Sequence, residues 1–260
     1  MLDQIVREKR MELVEKQQAV PHRELLARIP EQPAPSLSDV LREDRINIIA
    51  EIKYRSPSRG DFSCKIPPRD LARIYTDNGA VSVSVLTDEK FFGGSLENLH
   101  RVRQDQPELP LLRKDFIIDR YQVTEARVHG ASAYLLIVSC LDPGPMHSLI
   151  EAGVDLGMEP LVEVHDPFEL EAAMEGGAEI IGVNNRDLRT FDVRIETSFD
   201  LARRVEGESG VLLVSESGIS ERTQLLELRD AGFHGFLIGT SLVESDDPAL
   251  VMRSLTGREG

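Results

Sequence analysis

Six residues able to do acid–base or hydrogen-bond chemistry stand at the ends of short apolar runs in this sequence. Glu51 and Lys53 end NIIAEIK, Lys114 ends LPLLRK, Glu163 ends EPLVEV, Asn184 ends EIIGVNN and Glu216 ends VLLVSES. Side chains two apart in a strand share a face, so Glu51 goes with Lys53, Lys114 with Phe116, and Glu163 with Leu161. Two ammoniums, three carboxylates and a carboxamide form a set that can donate a proton to a developing oxyanion and remove one elsewhere. A buried Lys–Glu pair that merely fills a core layer is the bland alternative for any one of them. It does not account for the whole set, because charges against an apolar core are costly. These positions include no His pair and no Cys cluster, so a transition-metal site is not expected. The histidines at 22, 100, 129, 147, 165 and 234 fall mostly in helix or loop stretches. His165, just after Glu163, reads as exposed.

A second group of residues is suited to an anion. SESGIS at 215–220 and LIGTSL at 237–242 each close an apolar run and open a helical stretch. Small residues let the backbone approach an anion, and a helix N-terminus offers unpaired N–H groups. Ser217, Gly218, Gly239 and Thr240 are therefore candidate phosphate contacts. Ser56, in the turn SPSRG beside Lys53, joins them. A third group is apolar: Phe91, Phe92, Phe116, Leu135 and Leu188 lie on or beyond the same runs and could hold a flat ring, or simply pack beneath loops.

The elements that must position these groups follow from periodicity. Eight apolar runs start near Asn47, Val81, Leu109, Ala133, Glu159, Glu179, Val211 and Gly235. Their spacing of roughly 20–35 residues suits one strand and one helix each. Amphipathic stretches lie between them, such as PPRDLARIYTDNG (67–79), DRYQVTEARVHG (119–130), PFELEAAMEGG (167–177) and SERTQLLELRDAG (220–232). Asp119, Asp166 and Ser220 stand at N-cap positions, and several stretches end at Gly. Near-continuous apolar strands alternating with helices mean a parallel sheet covered by helices. Eight units match a (β/α)8 TIM barrel, whose active site lies at the C-terminal ends of the strands, with phosphate held after strands 7 and 8. A doubly wound open sheet usually carries a glycine-rich loop after its first strand, and here that strand runs into EIKYRSPSRG.

Residues 1–45 read as an N-terminal helical extension and 46–260 as the barrel, together one structural domain. Leu2, Ile5, Val6, Leu13 and Val14 follow a helical period up to Pro21; Leu25, Leu26 and Ile29 mark a second helix; PEQPAPS is a break; and Ser36 or Ser38 caps a third. The extension has too little core to fold alone and is expected to cover the top of the barrel.

Composition limits the function. The 260 residues carry 45 acids against 30 bases, a formal charge of −15, which argues against nucleic-acid or anionic-membrane partners. The apolar fraction of 41% excludes general disorder. Two cysteines, Cys64 and Cys140, form no CxxC pair and no disulfide framework. No apolar run reaches membrane-spanning length, and the first residues mix charges without a signal-peptide core. The expectation is a cytoplasmic protein acting on a small phosphorylated substrate; its oligomeric state is open, with a monomer slightly favoured.

The strings IIAEIKYRSPSRG, SVLTDEKFFGGS, PLLRKDFIIDRYQ, GMEPLVEVHD, GVNNRDL, VSESGI and FLIGTSL together resemble the motif set of the indole-3-glycerol phosphate synthases of tryptophan biosynthesis. The match runs in order from about residue 48 to 243, and the helical prefix resembles that family's extension. Tyr54 and Arg55 depart from the family's usual Lys or Arg and Ala, and Thr240 stands where Ser is common. The resemblance implies ring closure, decarboxylation and dehydration of 1-(2-carboxyphenylamino)-1-deoxyribulose 5-phosphate, without metal or cofactor. It implies Lys114 as general acid and leaves Glu51, Glu163 and Lys53 to divide the base and acid of dehydration. Lys53 could instead pair with the substrate carboxylate. Asn184 and Arg186 would contact or orient substrate, Glu216 would support the electrostatics, and Phe92, Phe116, Leu135 and Leu188 would line the ring pocket. Rival readings are another phosphate-binding barrel of the same pathway, lacking the Lys53–Lys114–Glu163 arrangement, and a non-catalytic barrel, which should have lost one of these groups.

Overall fold

The structure is a computed structural model that describes residues 2–57, 59–205, 207 and 210–258. Eight parallel strands close into a barrel: β1 (Ile48–Ile52), β2 (Ala80–Leu86), β3 (Leu111–Lys114), β4 (Ala133–Ile137), β5 (Glu159–Val164), β6 (Ile180–Asn184), β7 (Leu212–Glu216) and β8 (Phe233–Ile238). β1 pairs with β2 on one side and with β8 on the other, placing Ala50 beside both Val83 and Ile238. The expected strand starts lie within two residues of these. After β1, Arg55–Ser56 and Gly60–Asp61 form a small antiparallel hairpin that the hydrophobic pattern does not announce. Ser58 of the turn SPSRG lies outside the described residues.

Alternation along the strands builds two cores. Ile49, Leu112, Leu135, Leu161, Ile180, Leu212, Val214 and Leu237 make one buried cluster inside the barrel. Intervening residues such as Ile48, Ala50, Val83, Leu136, Val162, Ile181 and Phe236 pack outward against the helices. The inward row then ends, at the C-terminal side, in Glu51, Lys114, Glu163, Asn184 and Glu216.

The helices are α1 (Leu2–Ala19), α2 (His22–Leu26), α3 (Leu37–Leu41), α4 (Pro68–Asp77), α5 (Glu89–Phe92), α6 (Leu96–Asp105), α7 (Arg120–Val128), α8 (Pro143–Asp155), α9 (Pro167–Glu175), α10 (Glu196–Val205), α11 (Arg222–Asp230), α12 (Thr240–Val243) and α13 (Pro248–Thr256). Asp119 and Asp166 cap α7 and α9 as expected. The cap of α11 is Glu221 rather than Ser220, because the Gln224 side chain accepts from the backbone N–H of both residues and draws the first turn one position on.

The prefix does not simply cover the top. α1 does lie over the C-terminal ends of the strands, where Leu2 and Ile5 face the central cavity. α3 instead closes the opposite end: Leu37 and Leu41 join the interior core, and a Cβ on Gly235 would stand 2.5 Å from Leu41 Cδ2. Glu159, at the start of β5, accepts from the Leu37 and Ser38 N–H groups, and Ser36 caps the helix through Asp39 N–H. A carboxylate at a helix N-terminus is favourable, so β5 itself anchors this plug.

α1 is fastened by a buried charge. Lys9 Nζ lies 2.9 Å from Asp88 Oδ2 and 3.0 Å from Asp115 Oδ1, and both acids are buried. Asp115 also accepts from Arg113 and from Thr87 Oγ1, and Arg113 reaches Glu125. Burial works against the Lys9 charge, but Asp115 and Asp88 hold its proton above the ordinary lysine range. Lys9→Met should therefore destabilise the fold by about 3–5 kcal/mol, since it leaves buried Asp88 without its ion-pair partner and takes one of two cations from Asp115. Urea unfolding measures this, and a loss below about 1 kcal/mol would show that α1 is not held by this charge.

Candidate active site

The strand ends enclose a cavity of about 570 Å³ at the top of the barrel. The volume is in the range that holds small ligands. Its wall includes all but one of the candidates singled out from the sequence: Glu51, Lys53, Ser56, Phe92, Lys114, Phe116, Leu135, Glu163, Asn184, Arg186, Leu188, Glu216, Ser217, Gly218, Gly239 and Thr240. Phe91 is not part of it; its ring lies 5.8 Å from Lys90 Nζ instead.

Lys114 is the centre of the floor. Its Nζ lies 3.0 Å from Glu163 Oε2 and 2.5 Å from Glu216 Oε2. Burial works against its charge, and Glu216, Glu163 and Glu51 together hold its proton above the ordinary lysine range. The two carboxylates are not equivalent. Burial works against the charge on Glu163 too, but Lys114, His165 and Asn184 keep that carboxyl well below the usual range. Asn184 donates to Glu163 Oε1 at 3.0 Å. Glu216 Oε1 is buried without a hydrogen-bond partner. Burial, with Glu163 adding to it, pushes Glu216 up to about 7 although Lys114 opposes the shift. Glu216 has room to stand there because residue 182 is glycine: a Cβ on Gly182 would fall 2.2 Å from Glu216 Oε1.

Lys53 and Glu51 form a second pair. Lys53 Nζ lies 2.8 Å from Glu51 Oε1 and donates to Thr240 Oγ1 at 3.0 Å. Burial disfavours the Glu51 charge, and Lys53 and then Lys114 restore it, leaving its pKa lowered. Gly239 also makes room for Glu51. Its missing side chain is the space that Glu51 fills, since a Cβ there would stand 2.4 Å from Glu51 Oε1. Thr240 and the residues after it open α12, whose first N–H groups have no partner within the helix. Ser217 and Gly218 both have positive φ, 67° and 81°, a turn that only a few residue types tolerate without strain.

The apolar side is formed by Phe92 and Phe116, whose ring centroids are 6.0 Å apart, together with Leu135 and Leu188. The loop after β6 folds over the cavity. Arg186 bridges Val193 through the backbone, Asp187 caps the loop through the N–H groups of Arg189 and Thr190, and Phe191, at φ 65°, faces inward. Val193 packs on Gly218, where a Cβ would meet Val193 Cγ1 at 2.5 Å.

Several contributions escaped the sequence reading. His165 is not exposed; its ring lies between Glu163 and Glu169. Arg59 and Glu244 form an ion pair across the mouth, joining the loop after β1 to the end of α12. Asn185, beside Asn184, holds the loop after β7 by donating to Ser217 O at 3.1 Å, and it accepts from Ser198 at the start of α10. The doublet of asparagines was a signal, since alternation sends one inward and the other outward. Among the described residues, no group of three or more His, Cys, Asp or Glu is placed to hold a metal ion.

A (β/α)8 barrel whose top gathers two ammoniums and three carboxylates beside an apolar ring pocket is the architecture of an acid–base enzyme. A family model for indole-3-glycerol phosphate synthase matches residues 2–255. The indole-3-glycerol phosphate synthase of Roseiflexus castenholzii is 43% identical over 99% of this chain and 98% of its own length. That of Carboxydothermus hydrogenoformans is 42% identical over 98% of each. The chain belongs to the indole-3-glycerol phosphate synthase family. Among solved structures, a 3-hexulose-6-phosphate synthase superposes with a TM-score of 0.62 at 14% identity, covering 82% of this chain and 99% of its own, a likeness of fold alone. No helix among the described residues is long and apolar enough to cross a membrane.

The contacts of Gly239 give a direct test. Gly239→Ala should displace Glu51 and lower kcat at least ~10-fold while KM changes less than ~3-fold, because an unmade catalytic contact costs transition-state rather than ground-state stabilisation. A rise in KM with kcat unchanged would return Gly239 to a purely phosphate-binding role.

Proposed function

We propose that this chain is a carboxy-lyase that converts 1-(2-carboxyphenylamino)-1-deoxyribulose 5-phosphate to indole-3-glycerol phosphate, carbon dioxide and water. Membership of the family makes it an enzyme of tryptophan biosynthesis that takes a phosphorylated small molecule. One observation carries the reading furthest. Lys114, held in its ammonium form by two buried carboxylates, sits on the floor of a cavity with an aromatic wall on one side and two small-residue loops, Ser217–Gly218 and Gly239–Thr240, on the other.

The substrate supplies a flat ring, a ketone and a phosphate, and these three features fit that layout. Phe92, Phe116, Leu135 and Leu188 take the anthranilate ring. Ser56, Ser217, Gly218, Gly239 and Thr240 surround the phosphate, with the start of α12 adding its dipole. The ring carbon bearing the carboxylate attacks the C2′ ketone, and Lys114 donates to the oxygen that becomes alkoxide. The ammonium form carries the proton this step needs, and an alkoxide is a strong enough base to take it. Carbon dioxide then leaves. Loss of water needs a base and an acid; Glu163 or Glu51 serves as the first and Lys53 as the second, and Lys53 stands where it can also meet the substrate carboxylate. Asn184 orients Glu163, Arg186 contacts substrate, and Glu216 supports the electrostatics around Lys114. No cofactor or metal enters these steps. Residues 1–45 and 46–260 act as one domain, the extension supplying Leu2 and Ile5 to the cavity. We place the enzyme in the cytoplasm, without nucleic-acid or membrane partners.

The chain contains no Trp, so product fluorescence rises against a dark background. Purified protein should generate that signal from substrate without added metal or nucleotide. Lys114→Ala should lower kcat by at least ~10²-fold, with substrate still bound through its phosphate. Lys114→Arg should recover little, because the planar guanidinium fork does not fit the space of the compact ammonium between Glu163 and Glu216. Retention of more than about a tenth of wild-type kcat by Lys114→Ala, in a variant folded by circular dichroism, would pass the acid role to Lys53.

A further inference from the structure

Two carboxylates face one ammonium at the floor of the cavity, and something must decide which of them is the base. The difference between them lies behind the barrel wall, in a histidine that does not reach the cavity. His165 follows β5. Its Nδ1 is 2.9 Å from Glu169 Oε2, the same oxygen that accepts its backbone N–H at 2.8 Å. Its Nε2 is 3.3 Å from Glu163 Oε1. The side chain is 14% exposed, so water does little to screen either approach.

The partners dictate the charge. An ionised carboxylate only accepts hydrogen bonds; Nδ1 is in hydrogen-bond contact with Glu169, whereas Nε2 makes no hydrogen bond and stands at ion-pair distance from Glu163. A neutral imidazole would turn one lone pair toward a carboxylate oxygen. Only the imidazolium presents N–H on both sides. The other charged groups around the ring are Asp166 on the same turn, and Arg194, Asp200, Arg203 and Arg204 from the segment and helix opposite, three cations against two carboxylates. Arg203 is itself paired with Asp200. Glu163 and Glu169 are therefore the groups in direct reach, with Lys114 and Glu216 beyond Glu163.

We propose that His165 is a positioning residue that selects Glu163, rather than Glu216, as the ionised carboxylate opposite Lys114. Glu163 receives a second cation and the Asn184 amide, whereas Glu216 has Lys114 alone and an unpartnered Oε1. The pair then holds a single negative charge in a fixed place, on Glu163, with Glu216 carrying the proton. His165 touches no substrate; it acts through Glu163. The same pairing raises the imidazole to about 10 against the opposing effect of burial. This inference rests on the reading of Glu163 as a base of the proposed reaction.

The test has two arms. In histidine-¹⁵N-labelled wild-type protein, the His165 ring nitrogens should keep the imidazolium signature at pH 8, where an ordinary histidine with a midpoint near 6.5 is neutral. Glu163→Gln should move that midpoint down by at least about one unit, because the opposite charge is gone. In turnover, His165→Gln should lower kcat at least ~10-fold with KM within about twofold, the pattern of an interaction made in the transition state. A His165 ring neutral at pH 8 in the wild type would overturn the proposal. So would His165→Gln with wild-type kcat, or with kcat and KM degraded together. Absence of indole product from the wild-type protein would instead overturn the functional reading, and the titration arm would still report on the pair.

Discussion

The Lys114 ammonium lies beneath the cavity within 3.0 Å of two buried carboxylates, and most of the site can be traced to that arrangement. Two carboxylates so close in a dry interior raise one another's proton affinity, and their surroundings decide which of them keeps its charge. They do so asymmetrically. Glu163 receives Asn184 and His165, and Glu216 receives a pocket opened by Gly182. Lys53 and Glu51 repeat the pairing on β1, with Gly239 making the room. Removing a partner from such a cluster costs more than the pair contributes, because it leaves a charge buried alone. Catalysis and the packing of the barrel top therefore constrain each other.

The strand alternation that builds the barrel also divides each motif into chemistry and support. In RKDF, Lys114 and Phe116 face the cavity, while Arg113 and Asp115 join the buried network that receives Lys9 from α1. In NNRDL, Asn184 turns to Glu163, while Asn185 ties the loop after β7 to α10. The support is polar and buried, and it is satisfied by partners far away in the chain. A prefix that places Lys9 at one end of the barrel and Leu37 and Leu41 at the other belongs to this support as much as any barrel helix does.

Periodicity alone located the strands within two residues, because eight near-continuous apolar runs separated by amphipathic stretches admit few arrangements. The inward-facing polar residues followed, since alternation fixes the face and barrel geometry fixes the end. What stayed hidden depends on contacts between distant residues. Nothing near Lys9 marks it as buried, since it lies in a charged helix and its partners are 79 and 106 residues away. His165 looked like a loop residue, and only the fold of α9 back onto β5 puts Glu169 beside it. Gly239 was assigned to phosphate approach because a glycine at a strand end usually means that; the Glu51 side chain filling its place is visible only in three dimensions. The hairpin after β1 is too short to leave a periodic trace.

The asymmetry between Glu163 and Glu216 is the claim on which the account turns, and a titration of their carboxyl carbons tests it most directly. In ¹³C-glutamate-labelled protein, with each signal assigned by its Gln substitution, Glu216 should titrate near pH 7. Glu163 should remain ionised through the ordinary carboxylate range near pH 4. Two carboxyls titrating together in that ordinary range, or a raised midpoint on Glu163 with Glu216 ionised throughout, would contradict it.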